Sequence, residues 1–379
     1  MAIAFRNIMN VVFVRSHPVN PEPRLEKEAQ TLSAAGHNIS ILGWRRYGDM
    51  PLFEGDTTYS ITRFGLKAPV GKKIVLYWPI WWIYEAIWLF KKDYDIVHVA
   101  DFDTYLPALF VSKLKGRKII YDVYDFYPDT VSLPSLIYRV FKKTDLFFMR
   151  FADKIIIADD CRKSQMQLET SPKVLSIYNT PMEVDSITSK GSSNKESINI
   201  FFGGVIHPDR DVFSMVKIAM ENPSVKLIIA GSGNIDIINQ IKEASTSYSN
   251  IDFLGVVSYH DILSHSHDAD ILYALYNPEI PNNRLASPNK LFEAMMCGKP
   301  IIVNEGVATA DKVREENCGL VVPYGDYEAL KETVLALKNN PELRKELGEN
   351  GRRAYETKYN WKIMEKRLLD LYASLEKEQ

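Results

Sequence analysis

Cysteine is scarce in this 379-residue chain: Cys161, Cys297 and Cys318 are its three, and no two form a C-x-x-C pair. That excludes a disulfide-stapled scaffold and a four-cysteine zinc site, and it suits a reducing compartment. Charge of one sign is lacking too. A formal net charge of −2 gives no global pull toward nucleic acid, whose binders carry a strong basic excess, so no nucleic-acid partner is expected. No apolar run reaches the ~20 residues of a membrane span. The start, Met1 to Asn10, leads straight into Val11-Val12-Phe13-Val14. That run reads as a buried strand and not as a signal-peptide core, so the expected location is cytoplasmic. No repeat of solenoid period occurs.

What the chain does have is a regular succession of short, continuous apolar runs. Val11–Val14, Ile39–Leu42, Asp95–Val99, Lys118–Tyr121 and Lys154–Ile157 fill the first half. Ile198–Phe202, Val225–Ala230, Ile251–Leu254, Ala269–Leu275, Pro300–Val303 and Gly319–Val322 fill the second. Runs that are apolar throughout mark strands buried on both faces of a parallel sheet, with the stretches between them as covering helices. Between the halves, residues 184–197 are rich in Ser, Lys, Asn and Gly, the composition of a linker. The expected class is α/β, with two doubly wound domains: 1–183, a linker at 184–197, 198–358, and a terminal helix over 359–379 whose apolar stripe must pack on something.

The densest chemical signal is Ser287-Pro288-Asn289-Lys290-Leu291-Phe292-Glu293, running on to Cys297-Gly298-Lys299-Pro300. Ser287 suits an N-cap, Pro288 the first helical position and Gly298 the residue that ends the helix. The N-terminus of such a helix offers free amide hydrogens and a positive dipole end, a ready site for an anion. Dipole arguments prefer an acid in the first turn, so Lys290 there makes best sense beside a bound phosphate. Glu293, one turn deeper, is placed to accept hydrogen bonds from a ribose diol. The competing reading is a capped helix with an i,i+3 Lys290–Glu293 pair, worth ~0.2–0.5 kcal/mol.

Gly203-Gly204 directly follows the first strand of the second half and allows close backbone approach to a ligand. Arg210 follows a short loop and should open the next helix, and His207 lies between them. Gly231-Ser232-Gly233 lacks the third glycine of a dinucleotide fingerprint and reads as a turn lining the same ligand edge. In the first half, Asp101 with Asp103, and Tyr124 with Asp125, follow buried strands. An acidic pair such as Asp101-x-Asp103 serves either as a helix cap or as a divalent-metal ligand.

Together these segments resemble the family-four retaining glycosyltransferases of the GT-B fold. The resemblance runs through Pro23-Arg24, Glu28-Ala29 and Leu32–His37, then Asp95–His98, Tyr121–Val123, Tyr178-Asn179, Phe253–Val257 and Ser287–Pro300. It implies two Rossmann-like domains facing a cleft and a C-terminal helix crossing back to the first. It also implies metal-independent transfer of a sugar from a nucleoside diphosphate, a uridine donor ahead of a guanosine one, to a glycan or lipid-linked hydroxyl in surface polysaccharide or glycoconjugate synthesis. No cofactor beyond that co-substrate is implied. By the same resemblance Lys290 and Arg210 grip the diphosphate and Glu293 the ribose. Gly203, Gly204, Gly231, Ser287, Pro288 and Asn289 line the donor, and the backbone at Val256 faces the base.

Two positions depart from the family pattern. Leu285 stands where a first glutamate is common, and Tyr124 stands where a histidine often touches the sugar, next to Asp125. Asp125 is accordingly the first-domain carboxylate assigned to acceptor positioning. The departures keep two alternatives open: a non-catalytic pseudo-transferase subunit, and a GT-B sugar-nucleotide epimerase.

One stretch stands apart. Ile74–Phe90 holds four of the six tryptophans and is flanked by Lys72, Lys73, Lys91 and Lys92. It reads either as a core helix or as an interfacial helix on the inner face of a membrane, with its tryptophans at headgroup level.

Overall fold

Eleven of the apolar runs become strands, and all eleven pair in parallel. The computed structural model describes residues 7–19, 22–55, 58–69, 71–130, 135–183 and 197–378. The expected linker therefore lies, apart from Ser197, outside the described residues. The chain divides into two compact units: Met1–Tyr178 with Met364–Gln379, and Asn179–Ile363.

The first unit is built on β1 (Asn10–Arg15), β2 (Asn38–Trp44), β3 (Phe53–Gly55), β4 (Ser60–Phe64), β5 (Ile96–Ala100), β6 (Lys118–Val123), β7 (Lys154–Ile157) and β8 (Val174–Ser176). They form one sheet in the order β3-β4-β2-β1-β5-β6-β7-β8, parallel except for the β3–β4 pair. The sequence reading did not anticipate β3, β4 and β8. Two are only three residues long, and β4 alternates half-buried and buried positions, so none presents a continuous apolar run. The helix expected from Arg24 spans Pro23–Ala34, and Gly36 beyond it takes φ 96°.

The second unit carries β9 (Ile198–Gly203), β10 (Val225–Ala230), β11 (Ile251–Gly255), β12 (Ile271–Ala274), β13 (Ile301–Asn304) and β14 (Gly319–Val322), ordered β11-β10-β9-β12-β13-β14. All its pairings are parallel.

In both sheets the chain builds outward in one direction and then returns to the other side of its first strand. The reversal falls between β1 and β5 in the first unit and between β9 and β12 in the second. Such a switch point leaves a crevice at the carboxyl ends of the two strands, where open α/β sheets bind ligands. In the second unit that crevice receives Gly203-Gly204 from one strand and Tyr276 from the other.

The terminal helix, Trp361–Lys377, supplies Met364–Gln379 to the first unit. Met364, Leu368, Tyr372 and Leu375 are fully buried in it, which answers the demand of the apolar stripe. The Tyr372 hydroxyl lies 2.9 Å from His98 Nδ1 and Arg367 donates to the Ser176 carbonyl at 2.9 Å. Asn179–Glu183, expected with the first domain, belongs to the second unit. Tyr355 donates to the Pro181 carbonyl and Arg352 pairs with Glu183.

Candidate active site

The helix bearing Lys290 spans Asn289–Cys297, one residue later than expected: Pro288 is its N-cap, and no side chain caps it. Gly298 ends it in the left-handed region at φ 63°, with its amide on the Ala294 and Met295 carbonyls. The helix is held by close contact with Pro341–Ala354, where a Cβ on Gly348 would lie 2.2 Å from the Gly298 carbonyl. Thr309 fixes the approach by donating to the Ala286 carbonyl at 2.8 Å.

Lys290 points back over the β9 end. Its ammonium sits 4.4 Å from the Phe202 ring centroid and 2.7 Å from where a Cβ on Gly204 would lie. No Lys290–Glu293 ion pair forms. Glu293 is 3% exposed, and the Tyr259 hydroxyl is hydrogen-bonded to it. Burial lowers the Lys290 pKa to about 8; Glu293 opposes the shift and Arg210 adds to it. Among the described residues Lys290 has neither an ion pair nor a hydrogen bond. A desolvated ammonium with no hydrogen-bond partner, and with Glu293 acting on it only from beyond ion-pair distance, suits an anion site.

The glycines make room for this. After β9 the backbone runs beside the loop after β10, with the Gly204 amide on the Ala230 carbonyl at 2.9 Å and the Ile206 amide on the Ser232 carbonyl at 2.9 Å. Gly231, at φ 144°, lies so close that a Cβ would be 1.8 Å from the Gly204 oxygen. The two turns are thus one packed unit, and glycine is required there by contact as well as by dihedral angle.

Arg210 does not open a helix as expected. It ends the 3-10 turn Pro208–Arg210, and Asp211 at φ 46° separates it from the helix starting at Val212. Its guanidinium lies 3.8 Å from the Tyr276 ring centroid, a cation–π contact that fixes its plane. Asn283, 3% exposed, donates to Asp209 at 3.0 Å and to the Asn277 carbonyl at 3.1 Å, and its oxygen faces Arg210 at 3.5 Å. Burial would raise the Asp209 carboxyl, but Asn283, Arg210 and His207 together hold it below the usual range. His207 is committed to Asp209, with which it makes a short contact.

The sequence reading missed Asn283, Tyr276 and Tyr259. None carries a local motif; each matters through a partner 34 to 74 positions away. The fold brings Gly203, Gly204, Gly231, Arg210, Lys290 and Glu293 to the β9–β12 switch point. Val256, in the loop after β11, is 77% exposed. Ser287 and Asn289 flank the helix start.

Asp125 belongs to the first unit. It is exposed, and Arg162 donates to it at 2.8 Å. Asp101, by contrast, is buried and structural: at φ 66° it accepts from the Tyr124 amide at 3.0 Å and pairs closely with Arg15. Burial raises its pKa to about 6 against the pull of Arg15, with Asp103 and Asp125 adding to the rise. Asp103 is buried too and takes a short hydrogen bond from Ser16. Asp101 is thus engaged by Arg15 and the Tyr124 amide and, although it precedes helix Phe102–Lys115, its side chain does not cap that helix.

Glu28, His98 and Asp122 place ligand atoms within 4.8 Å of one another. Arg24 already supplies the positive charge there, donating to both Asp122 oxygens at 3.0 and 2.9 Å and lying 3.4 Å from Glu28. Tyr124, the departure from the family histidine, is packed under Arg15 and Arg24, at 4.5 and 4.9 Å from its ring centroid.

Residues 184–354 match the family described as glycosyl transferases group 1. A GDP-mannose-dependent monoacylated alpha-(1-6)-phosphatidylinositol monomannoside mannosyltransferase of Corynebacterium glutamicum is 27% identical over 168 residues, 44% of this chain and 43% of that protein. The chain spans only part of such relatives: 59%, 43% and 47% of the length of three of them. Among solved structures, sucrose-phosphate synthase from Thermosynechococcus elongatus superposes with a TM-score of 0.77 at 15% identity, covering 98% of this chain and all 100% of that one. The Anabaena protein HepE in complex with UDP-glucose gives 0.70 at 14%, over 97% and 100% of the two chains. At those identities the likeness is one of fold. The chain thus has the GT-B fold, and its residues 184–354 match the group 1 glycosyltransferase family.

Proposed function

We propose that the protein transfers a sugar from a nucleoside diphosphate sugar to a hydroxyl of a glycan or lipid-linked acceptor, with retention at the anomeric carbon and without a metal ion. The observation that carries this is the buried Lys290 ammonium, which makes neither a hydrogen bond nor an ion pair among the described residues. It lies over the two-glycine turn at a helix N-terminus, and Arg210 contributes to the same positive field. The hard step in such a transfer is departure of a diphosphate that gains negative charge as the sugar becomes cationic. Lys290, Arg210 and the free amides at the start of Asn289–Cys297 meet that charge with donors already in place. Glu293, oriented by Tyr259, takes the ribose hydroxyls.

The acceptor hydroxyl attacks from the face the diphosphate leaves, and a leaving phosphate oxygen takes its proton. Asp125 positions the acceptor. A uridine donor is placed ahead of guanosine, with support from the fold neighbour bound to UDP-glucose; the GDP-mannose-dependent relative makes guanosine the base to test beside it.

The test is release of nucleoside diphosphate from a panel of UDP- and GDP-sugars, with water or added acceptor as nucleophile, with and without a chelator. Lys290→Ala should cut the rate by about 10²–10³, the usual effect of removing one such donor, and the chelator should change nothing. An undiminished rate in Lys290→Ala would remove the donor assignment. Isomerised donor with no released diphosphate would establish an epimerase instead.

A further inference from the structure

We propose that the outer face formed by residues 72–91, 102–115 and 135–151 of the first unit docks on the surface of an anionic lipid bilayer. Helix Trp78–Lys91 is apolar on both sides. Trp78, Trp81, Glu85 and Leu89 face inward and are buried, whereas Ile80, Ile83, Ile87 and Phe90 are 50%, 62%, 52% and 64% exposed. Their spacing of three and four residues makes one outward stripe. A helix apolar all round belongs inside a core or against lipid, and this one has its second face uncovered.

The stripe continues onto its neighbours. Lys115, at the end of helix Phe102–Lys115, donates to the Leu89 and Phe90 carbonyls at 3.2 Å each, which seats Leu114, 80% exposed, beside the stripe. The Phe110 ring lies 5.9 Å from Phe148 of helix Ser135–Met149, whose own outer side bears Val140 and Phe147. The three helices, linked through Lys115 and the Phe110–Phe148 contact, thus each leave large apolar side chains exposed, and clustered exposed apolar side chains mark an interaction site.

Charge chooses the occupant. The acids on these segments are Glu85, Asp103 and Asp145, and all three are buried, at 0%, 2% and 0% exposure. Their cations Lys73, Lys91, Lys113, Arg139, Lys143 and Arg150 are exposed. Lys113 is paired with Asp153, but the exposed charges on the three segments are all positive, which complements a bilayer of anionic headgroups, with the lysines reaching headgroup level at the edges of the stripe. No described helix is long and apolar enough to cross a membrane, so the contact is a surface one. The aliphatic stripe carries it, not the tryptophans. Trp81 is fully buried, and Trp81 and Trp82 both donate to the Asp103 carbonyl. Trp81→Ala would therefore damage the fold and report nothing on lipid.

This inference stands apart from the donor chemistry. It is tested by co-sedimentation of the full chain with vesicles of phosphatidylcholine alone and with added phosphatidylglycerol, at low and high salt. Binding to the anionic vesicles, weakened by salt, is expected. Ile83→Asn with Ile87→Asn, and separately Arg139→Glu with Lys143→Glu, should each lower partitioning roughly tenfold or more at unchanged melting temperature, since all four side chains are exposed. Equal partitioning of wild type and both variants, or no binding to anionic vesicles, overturns the proposal. So does a concentration-dependent dimer abolished by the same substitutions, which would assign the face to a second copy of the chain.

Discussion

At the scale of single residues, the account rests on Lys290 being a cation held in reserve for a phosphate. With its pKa lowered to about 8 by burial, the ammonium loses its proton in the free protein as pH rises through that value. A bound diphosphate stabilises the charged form, so donor binding takes up a proton above about pH 8 and affinity falls there. Titration calorimetry with a nucleoside diphosphate from pH 6.5 to 9.5, in buffers of different ionisation enthalpy, should show that uptake, and Lys290→Gln should abolish it. Gly204→Ala is the companion test. The added Cβ meets the flexible end of Lys290 at 2.7 Å, so the ammonium is displaced and donor affinity drops. Lys290, Arg210 and Gly204 were all legible in the sequence because each sits where a strand end or helix start requires a special residue. Asn283 and Tyr259 were not legible, because what they do depends on Asp209 and Glu293, which only the folded chain brings to them.

At the scale of elements, helix Ser135–Met149 contains a buried carboxyl whose titration is readable. Asp145 is fully buried, accepts one hydrogen bond from Tyr121 at 3.1 Å and leaves its other oxygen unpartnered. Burial raises its pKa to about 7; the Tyr121 bond opposes the shift and Asp101 adds to it. The folded state therefore holds a proton that the unfolded chain releases near 3.8, and this group subtracts stability as pH climbs from there to about 7. Asp145→Asn keeps an acceptor for Tyr121 and removes the ionisation. Urea unfolding should find the variant more stable than wild type at pH 8, on the order of a few kcal/mol, with the gap closing toward pH 4. Parallel pH profiles would contradict this. The elements themselves were mostly readable, since a buried parallel strand announces itself as a continuous apolar run. The misses, β3, β4 and β8, are short or half-buried. The double-faced helix Trp78–Lys91 could be read as core or as interface from sequence alone, because both descriptions hold.

At the scale of the whole molecule, the chain returns to its first unit through the terminal helix. Leu368 is fully buried there. Leu368→Ala should cost about 2–5 kcal/mol and raise amide exchange in β5 to β7, while strands β9 to β14 keep their protection. Exchange rising equally in both units would show that the helix serves another purpose. The two-unit plan followed from the two series of apolar runs. The boundary at Tyr178–Asn179 did not, because Pro181 and Glu183 are tied to Tyr355 and Arg352, partners far along the chain.

The central claim is that the β9–β12 switch point binds a nucleoside diphosphate through Lys290. Titration calorimetry of UDP and GDP against wild type and Lys290→Ala, each with chelator, tests it most directly. The account predicts saturable binding of one nucleotide, unchanged by chelator and weakened about 10- to 100-fold in Lys290→Ala, the range for losing a charged hydrogen bond. Absence of binding by either nucleotide, or equal affinity in the variant, would contradict it.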